Sequence, residues 1–589
     1  MYVLGISAYF HDSAAAIFKD GQLISAIEEE KLSRIKHDYN FPEKAIDFCL
    51  KQANIKAEDL DYVVFFEKPF LKFERIIKTV IWNFPKTFLL FIESMKNWLF
   101  DKLWISNVIQ TKLNISRDKI MFSNHHLSHA ASAFYCSPFS KSAILTFDGV
   151  GEWATTTFSE GNNNNIIMKK EIRFPHSIGL IYSVFTAFLG FEINEGEYKV
   201  MGMAPYGTPK YTEKVKKIII PNSDGSFHID TQYISYHYST KNSYSKKFLS
   251  LFGNPRESDS LFFTKNTGFP KYFGDKPKDY KRQLELNQYY ADIAASIQKV
   301  TEEIVISLIN QIPAEKYDFN LCLAGGVALN SVINGKITKK TKFKNIYIQP
   351  SAGDGGGAVG AALSFIIDAK SSKRNFVMDH AFWGPEFDNN EIEAIIKNTK
   401  YKYKYFKNKE DLQNTIVDDL VKNKVIGLFQ NKMEWGPRSL GNRSIIANPS
   451  LAEMKDIVNS KIKFREPYRP FAPSVLEDKI EDFFITKNIN SPNPNDYMLN
   501  VVEVKKEKID IIPAVSHMGT ARIQSVRKKN KDYYNLIEKF YKKTNIPLVL
   551  NTSFNIKGEP IVCSPKDALN TFTKSGLDNL AIGNYYLTK

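Results

Sequence analysis

The stretch YVLGISAYFHDSAAAIFKDGQLISAIEEE, Tyr2 to Glu30, reads as an apolar strand, an acidic turn at Asp12, a second strand, a Lys-Asp-Gly-Gln hairpin turn and a third strand. The same order returns in AILTFDGVGEWATTTFSEGNNNNIIMKKEIRF, Ala143 to Phe174, with Asp148 after its first strand and the tract Asn162–Asn165 at its hairpin turn. One chain therefore carries two distant copies of one strand unit.

Two such units predict an α/β fold whose N-terminal domain has the duplicated ribonuclease-H-like architecture of the actin, Hsp70 and sugar-kinase superfamily. There, phosphate groups lie between the two halves. FNLCLAGGVALNSVIN (Phe319–Asn334) and NIYIQPSAGDGGGAVGAALSFII (Asn345–Ile367) each read as a buried strand, a glycine turn and a helix start. Glycines after Asp354 would let backbone N–H groups approach a ligand, and the helix start would favour an anion. Tight turns use glycine as well. The predicted first domain spans residues 1–367, with a helical insertion at about 68–105. A polar, basic linker over 368–380 follows, then a second domain of alternating strands and helices over 381–589.

A chain of 589 residues is too long for one core, which agrees with this division. Cys49, Cys136, Cys322 and Cys563 are scattered without a CxxC pair, which excludes a disulfide scaffold and a thiolate zinc site and suits a reducing cytoplasm. Thr79–Phe100 is the most apolar segment, but Pro85, Lys86, Glu93 and Lys96 break it, so no membrane span is expected. It reads as a surface that packs on the domain or forms a homodimer with a second subunit; a helix lying on a membrane is the alternative. The net charge of +15 is spread among acids rather than gathered in a nucleic-acid patch, and acidic small substrates explain it equally well.

SNHHLSHAASAF, Ser123 to Phe134, holds three of the ten histidines. On a helix, His125 and His129 share a face, while His126 points about 100° away. Asp148 ends a buried strand and Asp354 precedes a glycine run, places where a carboxylate has no packing role. Two imidazoles and two carboxylates suit Fe²⁺, Mn²⁺ or Zn²⁺ with open coordination positions. Cations gather in the second domain: Arg438 and Arg443, then Lys463, Arg465 and Arg469 in KFREPYRPFAP, and Arg522. Prolines 467, 470 and 473 predict a stiff, extended KFREPYRPFAP, and Asn551 and Ser553 add neutral donors. Arginine forks of this kind bind phosphate oxygens.

In order along the chain stand NHHLSHAASAF, TFDGVGEW, GEYKVMGMAPYG, LAGGVALN, PSAGDGGGAVGAAL, EWGPRSLGNRSIIANP, KFREPYRPFAPSV and NTSFNIKGEPIV. This set resembles the NodU/CmcH family of O-carbamoyltransferases from Tyr2 to about Thr571. The first domain also resembles the metal-containing subunit of tRNA threonylcarbamoyladenosine synthase, and the second its YrdC-like partner. The resemblance implies a mononuclear metal, iron by preference, on His125, His129, Asp148 and Asp354. It implies nucleotide-binding loops carrying Lys199, Gly202, Gly325, Gly326 and Asn330. It implies carbamoyl phosphate and ATP as substrates, with Mg²⁺, combined to carbamoyl adenylate in the second domain. The carbamoyl group would then pass to a hydroxyl of a small acceptor, a sugar or secondary metabolite, in the first. His11, beside Asp12, is a candidate general base or else a hydrogen-bonded turn residue. A tRNA-modifying enzyme and a non-catalytic nucleotide-binding regulator are the competing readings; no dedicated nucleic-acid module favours the former.

Overall fold

Strand β1 (Tyr2–Ser7) is buried from Val3 onward on both faces, as its unbroken apolar run requires of a central strand. In the computed structural model, which describes residues 1–100, 102–370, 372–486 and 492–589, β1 pairs antiparallel with β2 (Ala14–Lys19). With β3 (Gln22–Glu28), β4 (Tyr62–Phe65) and β5 (Ile120–Phe122) they form one sheet in the order β3-β2-β1-β4-β5. The second copy supplies β6 (Lys141–Phe147), β7 (Ala154–Asn162) and β8 (Asn165–Arg173), completed by β9 (Asn320–Ala324) and β10 (Asn345–Tyr347). Their order is β8-β7-β6-β9-β10. Here β6 runs antiparallel to β7 and parallel to β9, as β1 does to β2 and β4. The duplicated ribonuclease-H-like fold expected from the two copies is the fold of this domain.

Helix α1 (His125–Phe134) follows the first sheet yet packs on β6 and β9 of the second. Helix α2 (Asp354–Ser364) follows the second sheet and packs on β1 and β2 of the first. The two exchanged helices cross at Gly360, where a Cβ would lie 1.7 Å from the Ser128 carbonyl oxygen. A Cβ on Gly356 would meet the Ser351 carbonyl at 2.0 Å, and one on Gly357 would meet the Phe66 ring at 2.7 Å. The glycine run read as a ligand cradle is therefore a packing device, and it brings Asp354 up to the histidine helix. Gly360→Ala should force the helices apart, costing ~1–3 kcal/mol of stability and weakening any ion held between them. Thermal melting with and without added divalent metal checks both effects.

The chain divides into two compact units: Met1–Ala26 with Tyr39–Phe269 and Asp275–Val377, and Met378–Lys589 with Ile27–Asp38 and Pro270–Gly274. Residues up to Val377 are tied into the first unit by Arg374, which donates to the carbonyls of Tyr135, Ser137 and Phe139 and lies 4.6 Å from the Phe134 ring. The second unit is α/β, with an eight-stranded sheet whose middle holds Ile426–Phe429, Arg443–Ala447, Leu548–Ser553 and Ala472–Leu476 in that order. A separate three-stranded sheet ends in Thr520–Arg522. All four cysteines are buried and free. Among the described residues no helix is long and apolar enough to cross a membrane.

Candidate active site and metal centre

The i,i+4 spacing on α1 places His125 and His129 together, with ring centroids 4.7 Å apart. Asp148 leaves the end of β6 and Asp354 opens α2, so that one ligand atom from each of the four lies within 4.8 Å of the others. His125 Nε2 is 3.1 Å from Asp148 Oδ2, and His129 Nε2 is 3.3 Å from Asp354 Oδ1. All four residues are buried. Neither carboxylate oxygen of Asp354 has a hydrogen-bond partner, and neither ring nitrogen of His129 has one. A fully buried carboxylate without partners is expensive. Two imidazole nitrogens and two carboxylate oxygens converging on one point fit a divalent transition metal, which would satisfy all these atoms at once. Asp148 divides its two oxygens: Oδ1 accepts the Gly326 N–H at 3.0 Å, leaving Oδ2 toward the histidines.

Charge within the quartet is balanced by proximity. Burial lowers the His125 proton affinity, but Asp148, Glu67 and Asp354 outweigh it and hold the group well above the usual imidazole range. Conversely, His125 and His129 overcome burial and hold Asp148 well below the usual carboxylate range.

Two acids that sequence reasoning did not single out brace the centre. Glu67 stands 3.7 Å from His125 Nδ1 and accepts from Lys72 Nζ at 2.6 Å. Despite burial, Lys72 and His125 bring it down to about 2. Glu152 accepts the backbone N–H groups of His125 and Lys68, each at 2.9 Å. It lies within TFDGVGEW, so the motif was a signal; Glu67 had none. His126 points elsewhere: its ring nitrogens meet Thr146 Oγ1 at 2.6 Å and the Ala154 carbonyl at 2.8 Å.

His11 lies at the edge of the quartet, its Nδ1 3.0 Å from Asp12 Oδ2 and its Nε2 3.8 Å from Asp354 Oδ2. Burial opposes protonation, yet Asp354 and Asp12 raise the imidazole to about 10. A cation among the same carboxylates would oppose that rise.

The residues matched to nucleotide loops have local duties. GEYKVMGMAPYG is not a loop: Glu197–Met203 is a helix, with Gly202 buried inside it and Lys199 Nζ 5.7 Å from the Phe191 ring. The Gly325 position would drive a Cβ to 2.1 Å from the Phe147 carbonyl oxygen, and Gly326 gives its N–H to Asp148. Asn330 caps the helix Ser331–Lys340 by accepting the Ile333 N–H, and exchanges hydrogen bonds with Gln298. Its amide is spent on structure.

The cations of the second unit separate into two kinds. Arg443 is fully buried; its terminal nitrogens donate to the carbonyls of Gln430, Asn431, Asn442 and Pro385, and it lies 3.7 Å from the Phe429 ring. That is a structural arginine, contrary to the phosphate-binding role expected for it. The loop before it winds around buried Glu434, whose Oε1 accepts three N–H groups, from Leu440, Asn442 and Arg443. Asn551, too, is packed: its amide donates to Ser439, Ser474 and Gln524.

Arg522 is the opposite case. Among the described residues its guanidinium makes no hydrogen bond or ion pair, while burial and the charges of Arg438, Arg465 and Arg469 press its proton affinity well below the arginine range. Lys463 donates to the carbonyls and side chains of Ser553 and Asn555, all uncharged acceptors. Burial, Arg465, Arg469 and Lys36 push it well down. These cations outnumber the acids beside them, Glu466 on Arg469 and Glu559 near Lys463, and such an excess of like charge describes an anion site. KFREPYRPFAP is not extended there. Pro467 sits in a turn closed by the Arg469 N–H on the Glu466 carbonyl at 3.2 Å, which turns Arg465 and Arg469 to one locality. Asn555 lies within NTSFNIKGEPIV, so that motif was its signal; Lys36 had none.

Residues 2–363 match the family model described as the carbamoyltransferase N-terminus, and residues 417–589 the carbamoyltransferase C-terminus. An uncharacterised protein of Synechocystis sp. is 42% identical over 624 residues, covering 100% of this chain and 97% of its own length. Nodulation protein NolNO of Sinorhizobium fredii is 34% identical over 592 residues, covering 99% of this chain and 80% of its own. Among solved structures, component A of (R)-2-hydroxyglutaryl-CoA dehydratase from Acidaminococcus fermentans covers 62% of this chain and 96% of its own, with 16% identity and a TM-score of 0.30. Matched along both of its halves, the chain belongs to the carbamoyltransferase family and is a transferase enzyme.

Proposed function

We propose that the protein is an ATP-dependent O-carbamoyltransferase. In this reading the second unit uses one water to cleave carbamoyl phosphate to carbamate and phosphate, and the carbamate oxygen then displaces pyrophosphate from ATP to give carbamoyl adenylate, Mg²⁺ accompanying the nucleotide. The first unit then transfers the carbamoyl group to a hydroxyl of a small acceptor. The observation that carries the proposal is the gathering of Arg438, Arg465 and Arg469 about Arg522, whose guanidinium makes no hydrogen bond or ion pair among the described residues, with Lys463 pressed by two of the same arginines. Such a set binds phosphate oxygens and stabilises charge on departing phosphate groups.

His125, His129, Asp148 and Asp354 would hold a divalent metal, Fe²⁺ by the family resemblance. Bound there, it would supply Lewis acidity toward the carbamoyl carbonyl or the acceptor hydroxyl. The chain's own groups do the rest: Glu67 orients His125, the Gly326 N–H fixes Asp148, and His11 holds or gives a proton at Nε2, with Asp12 setting its tautomer. Incubation with carbamoyl phosphate, ATP and a library of hydroxyl compounds, followed by mass spectrometry, tests the proposal. A carbamate mass gain that requires both substrates is expected; none with any acceptor and no pyrophosphate release would refute it.

A small acceptor also predicts how binding responds to salt. Contacts to several tRNA phosphates would weaken steeply with ionic strength, whereas hydrogen bonds to a neutral acceptor would change little. No saturable tRNA binding is expected at about 0.15 M salt. A titration that finds it, with carbamoyl label on the RNA, would move the function to RNA modification.

A further inference from the structure

Helix Pro69–Trp82 buries Pro69 and Val80 but leaves large apolar side chains outside. It also buries Lys72, Arg75 and Thr79, while Phe70, Leu71, Ile81 and Trp82 face solvent. The buried charges have partners in the domain: Lys72 pairs with Glu67, and Arg75 lies 5.1 Å from the Phe174 ring. The helix packs on Phe88–Phe100 as a hairpin, and the apolar exposure peaks around its turn. Trp82 is 68% exposed, Phe84 67%, Ile81 65% and Leu89 65%. Phe88, Phe91 and Ile92 are exposed beside them. A contiguous group of exposed large apolar side chains marks a surface that meets something less polar than water, and here the group sits at the hairpin turn.

Charge says what lies there. From Thr79 to Ile92 the only ionisable side chain is Lys86, and no carboxylate accompanies it. Lys96 is exposed one turn beyond Ile92, whereas the neighbouring Glu93 already accepts from Thr240. A second copy of this chain fits poorly, because two-fold contact of the turns would set Lys86 against its own like. A projecting apolar turn with tryptophan, phenylalanines and the two exposed lysines Lys86 and Lys96 instead matches the boundary between acyl chains and anionic headgroups.

We propose that this hairpin docks the protein on the surface of a bilayer containing anionic lipid. Trp82, Phe84, Phe88 and Leu89 enter the headgroup–acyl boundary, and Lys86 and Lys96 meet lipid phosphates. The helix begins two residues after Glu67 and runs 14 residues to the docked turn, so about 20 Å of helix separates the acid that braces His125 from the membrane contact.

Co-sedimentation of the full chain with vesicles of phosphatidylcholine plus phosphatidylglycerol, against phosphatidylcholine alone, decides the matter. Strong partitioning to the anionic vesicles is expected. The triple variant Trp82→Ser, Phe84→Ser, Phe88→Ser should lose roughly 100-fold or more, since each removes a large apolar side chain from the boundary. Lys86→Gln with Lys96→Gln should lose roughly 10-fold, on anionic vesicles only. All five side chains are exposed, so unchanged thermal melting will show that these variants fold. A wild-type chain that stays in the supernatant with both lipids overturns the proposal. So does sedimentation velocity showing a dimer that the triple variant dissociates, for then a second copy covers the hairpin.

Discussion

His129→Ala is expected to reduce divalent-metal retention at least ~100-fold, because residues that merely orient a ligand are already worth ~10–100-fold. The substitution removes one of four donors and the imidazole nearest Asp354 Oδ1, leaving only His125 Nε2 at 3.8 Å. The fold should survive, since α1 keeps Ala130, Ala131, Ala133 and Phe134 in the core. Glu67→Gln should show the lesser, orienting loss within that range. Elemental analysis after dialysis, beside thermal melting, reads both; wild-type metal content in His129→Ala would dismiss the quartet as a metal site.

Two arginines should fail in opposite ways. Arg522→Ala is expected to lower carbamoyl-phosphate-dependent pyrophosphate release about 10- to 150-fold, the worth of a charge-assisted phosphate contact. Its melting temperature should hold or rise, because the substitution relieves repulsion from Arg438, Arg465 and Arg469. Arg443→Ala should instead cost at least ~3 kcal/mol of stability, since four carbonyl acceptors and a ring lose their buried partner. Pyrophosphate assays and denaturant melts on both variants check this. Equal destabilisation would mean that Arg522, too, is a structural residue.

The strand units were legible because apolar runs and hairpin turns are local, and β1–β3 and β6–β8 lie where the two copies put them. The histidine pair was legible through helical periodicity, and the two aspartates through their places at a strand end and a helix start. Arg443 and Arg522 could not be told apart in the sequence, because both are arginines among small polar residues and only their partners differ. The glycines after Asp354 misled for a related reason: backbone that approaches an anion and backbone that approaches another helix demand the same missing Cβ. Glu67 is one of 64 acids and gains meaning only from the histidine beside it. The exposed apolar turn around Trp82 left no mark in composition, since its residues are ordinary in number and unusual only in facing outward.

The exchange of α1 and α2 between the two sheets bears on the residence time of an ion at the quartet. His125 and His129 ride on one exchanged helix and Asp354 on the other, and the pair is locked at the Gly360–Ser128 crossing. Prising these ligands apart would uncover the cores of both sheets, so fraying at a terminus or loop cannot open the site. Escape of the ion would be governed by cooperative opening of the whole domain, and chelator-driven loss should accelerate with denaturant as steeply as unfolding itself.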